Sequence, residues 1–415
     1  MSPFSRSALA GVAAVLVNAA TGAPVAALFE AATRAQPAVI ESLKDMVLIE
    51  SGSANAEGIG KLADYTEKRL QALGAVTERI KPTRGPGVIV KGSFTGTGKK
   101  RILLIAHLDT VYPANTLATQ PYKQEGNKLY GPGIADDKGG IAVILHSLQI
   151  LKDAGWRDYA QLTVLFNSDE EVGSVGSGEL IAALGDAHDF VFSFEPTAAK
   201  TLARNEGLLL GASGTATAML EVKGRASHAG AAPQLGRNAL IELSHQLLQT
   251  RDLAATIPGT QLNWTVAKAG EVRNQIPEAA SAIGDVRVTV PGGAEKLQAA
   301  LQEKANANRL VPDTQTSVAM EIGRPPYLAN QAARALAKRA QAIYAELDGR
   351  ELNLVENTGG GTDAGYAGRS GRAVVLESFG LAGWGYHAKD EYIGIDSIVP
   401  RLYLTTRLLT EVAKP

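Results

Sequence analysis

The sequence predicts an α/β protein built on a doubly wound, mostly parallel sheet, interrupted by a second, α+β unit. Three largely apolar runs, Ile102 to Ala106, Leu162 to Phe166 and Phe190 to Phe194, have the length and character of strands buried on both faces. Helical stretches at Ala63 to Leu73, Ile141 to Ala154 and Ile398 to Val412 alternate with them, as layers of helix on a parallel sheet require. The middle of the chain follows a different rhythm. Between Gly211 and Gly323 it reads as a strand (Ala218 to Val222), a helix (Ala239 to Arg251), two strands (Asn263 to Ala269, Ser281 to Val290), a helix (Ala294 to Ala307) and a strand (Thr316 to Glu321). This β-α-β-β-α-β order is the ferredoxin-like pattern, and its alternating strands fit a sheet with one solvated face.

A chain of 415 residues is long for one domain, which agrees with a sheet unit of 27–210 plus 324–415 carrying an insertion at 211–323. The first 26 residues stand apart. Arg6, an apolar run from Ala8 to Val17 and small residues through Ala20, Ala23 and Ala26 have the order of a secretory signal, and the run is too short to anchor a membrane. Export to the periplasm or the medium is the expectation. Lys plus Arg (41) and Asp plus Glu (42) nearly balance, with no block of like charge, so there is no electrostatic case for nucleic acid or an anionic membrane surface. The expected partner is a small molecule. With no cysteine, any metal site must use histidine and carboxylates.

Each apolar run ends in groups that can bind metal: His107 and Asp109, then Asp169, Glu170 and Glu171, then Glu195. In open α/β sheets the carboxyl edge of the strands is where ligands bind. His107 and Asp109, two apart on a strand end, point to one side, so Asp109 can orient the imidazole; a buried histidine satisfied by its neighbour is the plainer alternative. Gly131 to Gly140 forms a glycine-rich turn into a helix, with Asp137 placed to cap it, and the two adjacent acids Asp136 and Asp137 in such a loop suit a carboxylate that bridges two cations. Glu170 and Glu171, on an extended segment, would face opposite ways, one toward metal and one toward water, although a solvated acidic loop reads as well from these residues alone. Gly385-Tyr386-His387 adds a second histidine far downstream. Two histidines with several carboxylates make a donor set suited to zinc, with cobalt or manganese as substitutes.

With these motifs in order along the chain, the sequence resembles the aminoacylase and carboxypeptidase family of two-zinc metallopeptidases, above all the glucarpidase-type glutamate carboxypeptidases. The resemblance implies a zinc exopeptidase-like fold with a ferredoxin-like lid through which two copies pair as a homodimer. It implies one zinc on His107 and Glu195, a second on Glu171 and His387, and Asp136 bridging them through a residue whose following peptide bond, Asp136 to Asp137, is cis. Glu170 would be the general base and Asp109 would orient His107. His228, in Ala226 to Gly230, matches a lid histidine that reaches the partner's site to stabilise the tetrahedral intermediate. Asn274, Arg287 and Arg324 match positions that grip the substrate carboxylate, and Gly360, within Gly359 to Asp363, matches a loop beside the specificity pocket. As solvated surface residues, His228 and the arginines would have a plainer role.

The implied reaction is cleavage of the C-terminal amide bond of an N-acyl amino acid, with glutamate as the residue released. One departure bears on that choice. Glutamate-releasing relatives carry a lysine before the strand that enters the insertion, whereas this chain has Glu206-Gly207, with Arg204 just upstream. A broader aminoacylase or dipeptidase is therefore the alternative within the family, and a non-catalytic metal or peptide binder the alternative outside it. Glu170 argues against the binder, which needs no proton shuttle. The chain has no G-x-S-x-G elbow, no H-E-x-x-H and no intact phosphate-binding loop, since Ser93 and Lys100 break the last.

Overall fold

The computed structural model describes residues 23–414. Ten strands and eight helices position the site. They are, in chain order, α1 (Ala26–Val47), α2 (Ala56–Leu73), β1 (Val76–Ile80), β2 (Ile89–Thr95), β3 (Arg101–His107), α3 (Lys138–Asp153), β4 (Gln161–Asn167), α4 (Gly178–Ala187), β5 (Phe190–Ser193), β6 (Gly214–Lys223), α5 (Ala239–Thr250), β7 (Thr260–Ala269), β8 (Ala279–Val288), α6 (Gly293–Ala307), β9 (Gln315–Ile322), α7 (Gln331–Ala345), β10 (Val374–Leu376) and α8 (Ile398–Val412).

The main sheet runs β1-β2-β4-β3-β5-β10. The three apolar runs form its parallel centre: Ile102 to His107 pairs with Leu162 to Asn167 on one side, and Ile102 to Ile105 with Phe190 to Ser193 on the other. β10 extends this parallel part, and β1 and β2 close the opposite edge antiparallel. Every residue of β3 after Arg101 is buried, because helices cover both faces. The helix α3 is buried almost all round, from Lys138 to Leu148, since α1 and α8 lie over it and the sheet lies beneath.

Two helices exceed what periodicity alone indicates. The expected helix from Ala63 starts at Ala56, where Asn55 caps it by accepting from the Gly58 N–H at 3.0 Å. Gly58 weakens helix propensity but is required: a Cβ there would lie 1.8 Å from the Glu50 carbonyl oxygen. The helix α1 begins at Ala26, the last residue of the expected leader; residues 1–22, which hold most of the rest of it, lie outside the described residues. No described helix is long and apolar enough to cross a membrane.

The second sheet, β7-β8-β6-β9, is antiparallel throughout and has the expected ferredoxin-like order, with α5 and α6 packed on it. Its alternating strand β6 sends Ala216, Ala218, Leu220 and Val222 into a core with Leu262, Val286, Leu297 and Leu301. That core is separate from the one beneath the main sheet. Strand β6 begins at Gly214, four residues before the apolar alternation, because backbone pairing of Gly214 with Val288 extends the ladder.

A buried histidine marks the α1–α3 contact. His146 Nε2 lies 2.9 Å from Ser42 Oγ, and Arg69 donates to that hydroxyl at 3.0 Å, so the serine proton is free to go to the imidazole. Burial, then the Arg69 charge, pushes His146 from 6.5 down to about 4. The unfolded chain therefore takes up this proton first: the stability it contributes is complete above the unfolded value and drains away as pH falls through 6.5 toward 4. Urea unfolding at pH 7 and pH 4.5 should show wild type losing roughly 2–3 kcal/mol more over this interval than His146→Gln. Equal losses would remove the histidine from the account.

Candidate metal centre

His107 is the last residue of β3, and the chain continues so that the Leu108 N–H donates to Asn167 O at 2.7 Å. This bond holds the tips of β3 and β4 side by side. Asp109 is fully buried and accepts from the Glu170 N–H (3.0 Å), the Glu171 N–H (3.2 Å) and Ser53 Oγ (2.8 Å). His107 Nδ1 lies 3.0 Å from the Asp109 carbonyl oxygen and 3.5 Å from its carboxylate. The orienting contact on His107 is thus nearer the backbone of Asp109 than its side chain, and the carboxylate instead shapes the acidic turn. Glu170 to Val172 form a 3-10 turn rather than the expected extended segment, because both amides fold onto Asp109.

The glycine-rich segment turns into α3 with Asp137 as its cap, as expected. Asp137 caps α3 by accepting from the Gly140 N–H (3.1 Å), accepts also from the His107 N–H (3.2 Å), and follows a cis peptide bond from Asp136. A Cβ at Gly140 would lie 2.2 Å from the Phe194 carbonyl oxygen, so glycine alone lets the helix start against the segment that follows β5. Glu391, which the sequence reading did not single out, holds this loop from behind. Its carboxylate accepts from Gly133 N (2.9 Å), Ala135 N (2.8 Å), Asp136 N (3.0 Å) and Tyr112 Oη (2.6 Å). Nothing in the local sequence around Glu391 signals this, since its partners lie more than 250 residues away.

Five side chains from separate segments meet above the parallel strands. His107 Nε2 is 3.0 Å from Asp136 Oδ1 and 3.7 Å from Glu195 Oε1. His387 Nε2 is 3.3 Å from Asp136 Oδ2 and 3.1 Å from Glu171 Oε2. The two oxygens of Asp136 therefore face different histidines, each of which also faces a carboxylate of its own. Burial pushes Glu171 and Glu195 above their ordinary range, and hydrogen bonds to Asp136 and Glu171 push His387 up to about 10. Burial works against ionised Asp136 too, but hydrogen bonds to His107 and His387 hold it below the usual carboxylate range. Glu171 Oε1 is buried with no hydrogen-bond partner, an orphan acceptor that a cation would satisfy. Two imidazoles and three carboxylates, grouped as His107 with Glu195 and His387 with Glu171 about a shared Asp136, fit a pair of borderline divalent ions.

Glu170 faces the same cluster, with ligating atoms of His107, Glu170 and Glu195 all within 4.8 Å of one another. Burial pushes its carboxyl up to about 8, against the pull of Arg324, whose Nη1 is 2.5 Å from Glu170 Oε1. Arg324 is 6% exposed and also donates to the Glu170 carbonyl, so its charge is engaged inside the protein. Both arginines line a cavity of about 840 Å³ with Thr358 to Thr362, Gly360 included. Arg287 is the more accessible, its side chain 36% exposed and held by Asp285 (2.9 Å) and the Gly359 carbonyl (3.3 Å).

Two expected residues lie elsewhere. His228 lies in a short antiparallel pair of Ser227–His228 with Gln275–Ile276, Asn274 directly precedes the second of these strands, and neither residue lines the cavity. His228 is exposed, and its Nδ1 accepts from the Gly230 and Ala231 N–H groups (3.2 and 3.1 Å), which leaves Nε2 as the outward donor. Glu206 also stays out of the cavity: its carboxylate accepts from Arg350 (2.7 Å), Arg401 (2.9 Å) and Tyr344 Oη (2.5 Å) within the main core.

Residues 103–411 match the sequence pattern of Peptidase family M20/M25/M40. Carboxypeptidase G2 of Pseudomonas sp. (strain RS-16) is 44% identical over 415 residues, covering 98% of each chain. Acetylornithine deacetylase of Myxococcus xanthus is 30% identical over 275 residues, 62% of this chain and 68% of its own. Among solved structures, an M20 family metallo-carboxypeptidase from Sulfolobus solfataricus superposes with a TM-score of 0.69 at 19% identity, covering 89% of this chain and 98% of its own. A dinuclear metal-binding peptidase of the M20 family from Bacillus subtilis gives 0.66 at 14%, covering 92% and 99%.

Calorimetric titration of the chelator-stripped protein with zinc should find two ions per chain, and Glu171→Ala should bind about one tightly. Full occupancy in that variant would exclude Glu171 as a ligand.

Proposed function

This chain belongs to peptidase family M20/M25/M40, and from that membership and the geometry above we propose a two-zinc exopeptidase that cleaves the C-terminal amide bond of N-acyl amino acids, with glutamate as the preferred residue released. The observation that carries the reading is the meeting of His107, Asp136, Glu171, Glu195 and His387 beside Glu170, in a cavity that also presents Arg287. His107 with Glu195 and His387 with Glu171 would hold the two ions, and Asp136 would bridge them. Such a pair supplies Lewis acidity toward the amide carbonyl and lowers the pKa of water.

The chain's own residues do the rest. Glu170 takes a proton from the attacking water and returns it to the departing amine, which makes one carboxyl base and then acid. Its buried partner Arg324 keeps it aimed at the cluster. Arg287 receives the free carboxylate of the leaving amino acid, a match for the guanidinium fork. Glu206, outside the cavity and neutralised by Arg350 and Arg401, brings no repelling charge to it and is compatible with glutamate as the residue released. The full-length relative at 44% identity is a carboxypeptidase by name, which supports C-terminal release. The runner-up is a broader aminoacylase or dipeptidase, favoured by the missing lysine.

The unit at 211–323 serves as lid and dimerisation surface. Leu240, Ile241 and Leu248 on α5 and Val266 on the edge strand β7 are exposed apolar groups of the kind a partner copy covers. His228, outside its own cavity, would then reach the partner's site to stabilise the tetrahedral intermediate, with Asn274 beside it. The leader-like order of the first residues supports export to the periplasm or the medium.

Three measurements test this. Glu170→Ala should lose at least 100-fold in kcat while keeping both zinc ions, because it removes proton transfer and not a ligand; a metal-free variant would reverse the roles of Glu170 and Glu171. Across N-benzoyl amino acids, glutamate should lead aspartate, leucine and phenylalanine, and C-terminal amides should be poor substrates. Equal cleavage of the amides would overturn the carboxylate grip. Light scattering should give a dimer, and a monomer at working concentration would withdraw the role of His228 across the interface.

A further inference from the structure

Beside the cavity lies a cluster of aromatic rings and lysines that the hydrolytic machinery does not use. Trp384, Tyr392 and Tyr130 form a row, with ring centroids 5.9 Å apart for the first pair and 5.6 Å for the second. Lys200 Nζ lies 4.5 Å from the Trp384 centroid and donates to Tyr392 Oη at 3.0 Å, while Lys128 Nζ lies 3.9 Å from the Tyr392 centroid. Ring faces hold an ammonium group in place without neutralising it. Among the described residues neither of these two lysines forms an ion pair, whereas their neighbour Lys123 pairs with Glu125 at 2.7 Å.

The cluster is continuous with the cavity at two points. Trp384 Nε1 donates to the Ala198 carbonyl at 3.3 Å, and Ala198 and Ala199, which lead directly to Lys200, line the cavity. Tyr386 and His387, just after Trp384, line it as well. Two cationic groups thus flank the cavity from different segments, one in its lining and one just outside it. One is Arg287 beside Gly359 to Gly361, and the other is Lys200 with Lys128 beyond Ala199. When the α-carboxylate of the leaving amino acid occupies the first, the acyl group, on the other side of the scissile bond, is free to meet the second.

We propose that Lys200 and Lys128, fixed on the faces of Trp384 and Tyr392, form an acyl-side subsite that selects acyl groups carrying their own carboxylate. The proposal deepens the exopeptidase reading and rests on it. Its ligand class is a dicarboxylic acyl group joined through one carboxyl to the amine of the leaving amino acid. The second carboxylate meets the ammonium groups, and lysine suits this as a compact charge with three donors and no fixed fork geometry. Because both lysines are near solvent, the attraction is open to screening by salt.

The test compares N-(4-carboxybenzoyl)glutamate with N-benzoylglutamate on the zinc-loaded enzyme. Hydrolysis of the benzoyl compound by wild type tests the exopeptidase reading itself, and the ratio of the two kcat/KM values tests the subsite. Wild type should favour the carboxylated acyl group about tenfold at low salt, with the preference shrinking toward unity in 0.5 M chloride. Lys200→Gln should cut that ratio at least fivefold and the double variant with Lys128→Gln should abolish it, whereas Lys61→Gln, on the far helix α2, should leave it intact. A wild-type ratio near one, or a loss in Lys200→Gln that is equal for both substrates, would overturn the subsite while leaving the hydrolase reading in place.

Discussion

The structure is organised around a problem of charge: Asp136, Glu170, Glu171 and Glu195 are drawn together at one edge of a sheet, in a place where burial penalises every one of them as an anion. Carboxylates this close repel unless donors or cations offset them. The fold supplies donors on two levels. Nearest are the imidazoles of His107 and His387, each within 3.3 Å of one oxygen of Asp136. Behind them are acids that take no part in the cluster but accept from its backbone: Asp109 from the turn of Glu170 and Glu171, Glu391 from the Asp136 loop, and Asp137 from the His107 and Gly140 amides. Each supporting carboxylate fixes N–H groups that would otherwise be unmet, and so fixes the loop that carries a functional side chain.

The scaffold explains why this edge is rigid enough. Three parallel strands, covered on both faces by helices, stop in register, so that His107, the turn after Asn167 and the segment after Ser193 leave the sheet within one layer. The largely buried α3 begins at the same edge, and Gly140 lets it press against the segment that follows β5. Only His387 comes from a distant loop. It is half exposed and takes a left-handed backbone conformation, the least embedded of the five groups.

The cavity beyond the cluster is shaped by pairing as much as by exposure. Arg324 and Glu206 are both charged and both near the site in sequence-based expectation, yet each is turned inward, one onto Glu170 and the other onto Arg350 and Arg401. Arg287 is left as the guanidinium that solvent and ligand can reach. A charge inventory of the chain therefore differs from the charge that a ligand meets, and the difference lies in which side chains find buried partners.

The sequence by itself determined the sheet centre, the ferredoxin-like order of the middle unit and the Asp137 cap. All of these are local facts: a largely apolar run ending in a polar residue is a strand reaching an edge, and a period of two or 3.6 reports which face is buried. The full extent of α2 was hidden because Gly58 looks like a helix breaker until its contact with the Glu50 carbonyl is seen. Other features were decided only by tertiary structure. Glu391 under the Asp136 loop, the inward turn of Arg324 and Glu206, the folding of the acidic turn onto Asp109, and the joining of Lys200 to Trp384 and Tyr392 all depend on residues brought together from distant segments. A charged side chain chooses among partners by distance and burial, and neither quantity exists until the chain has folded.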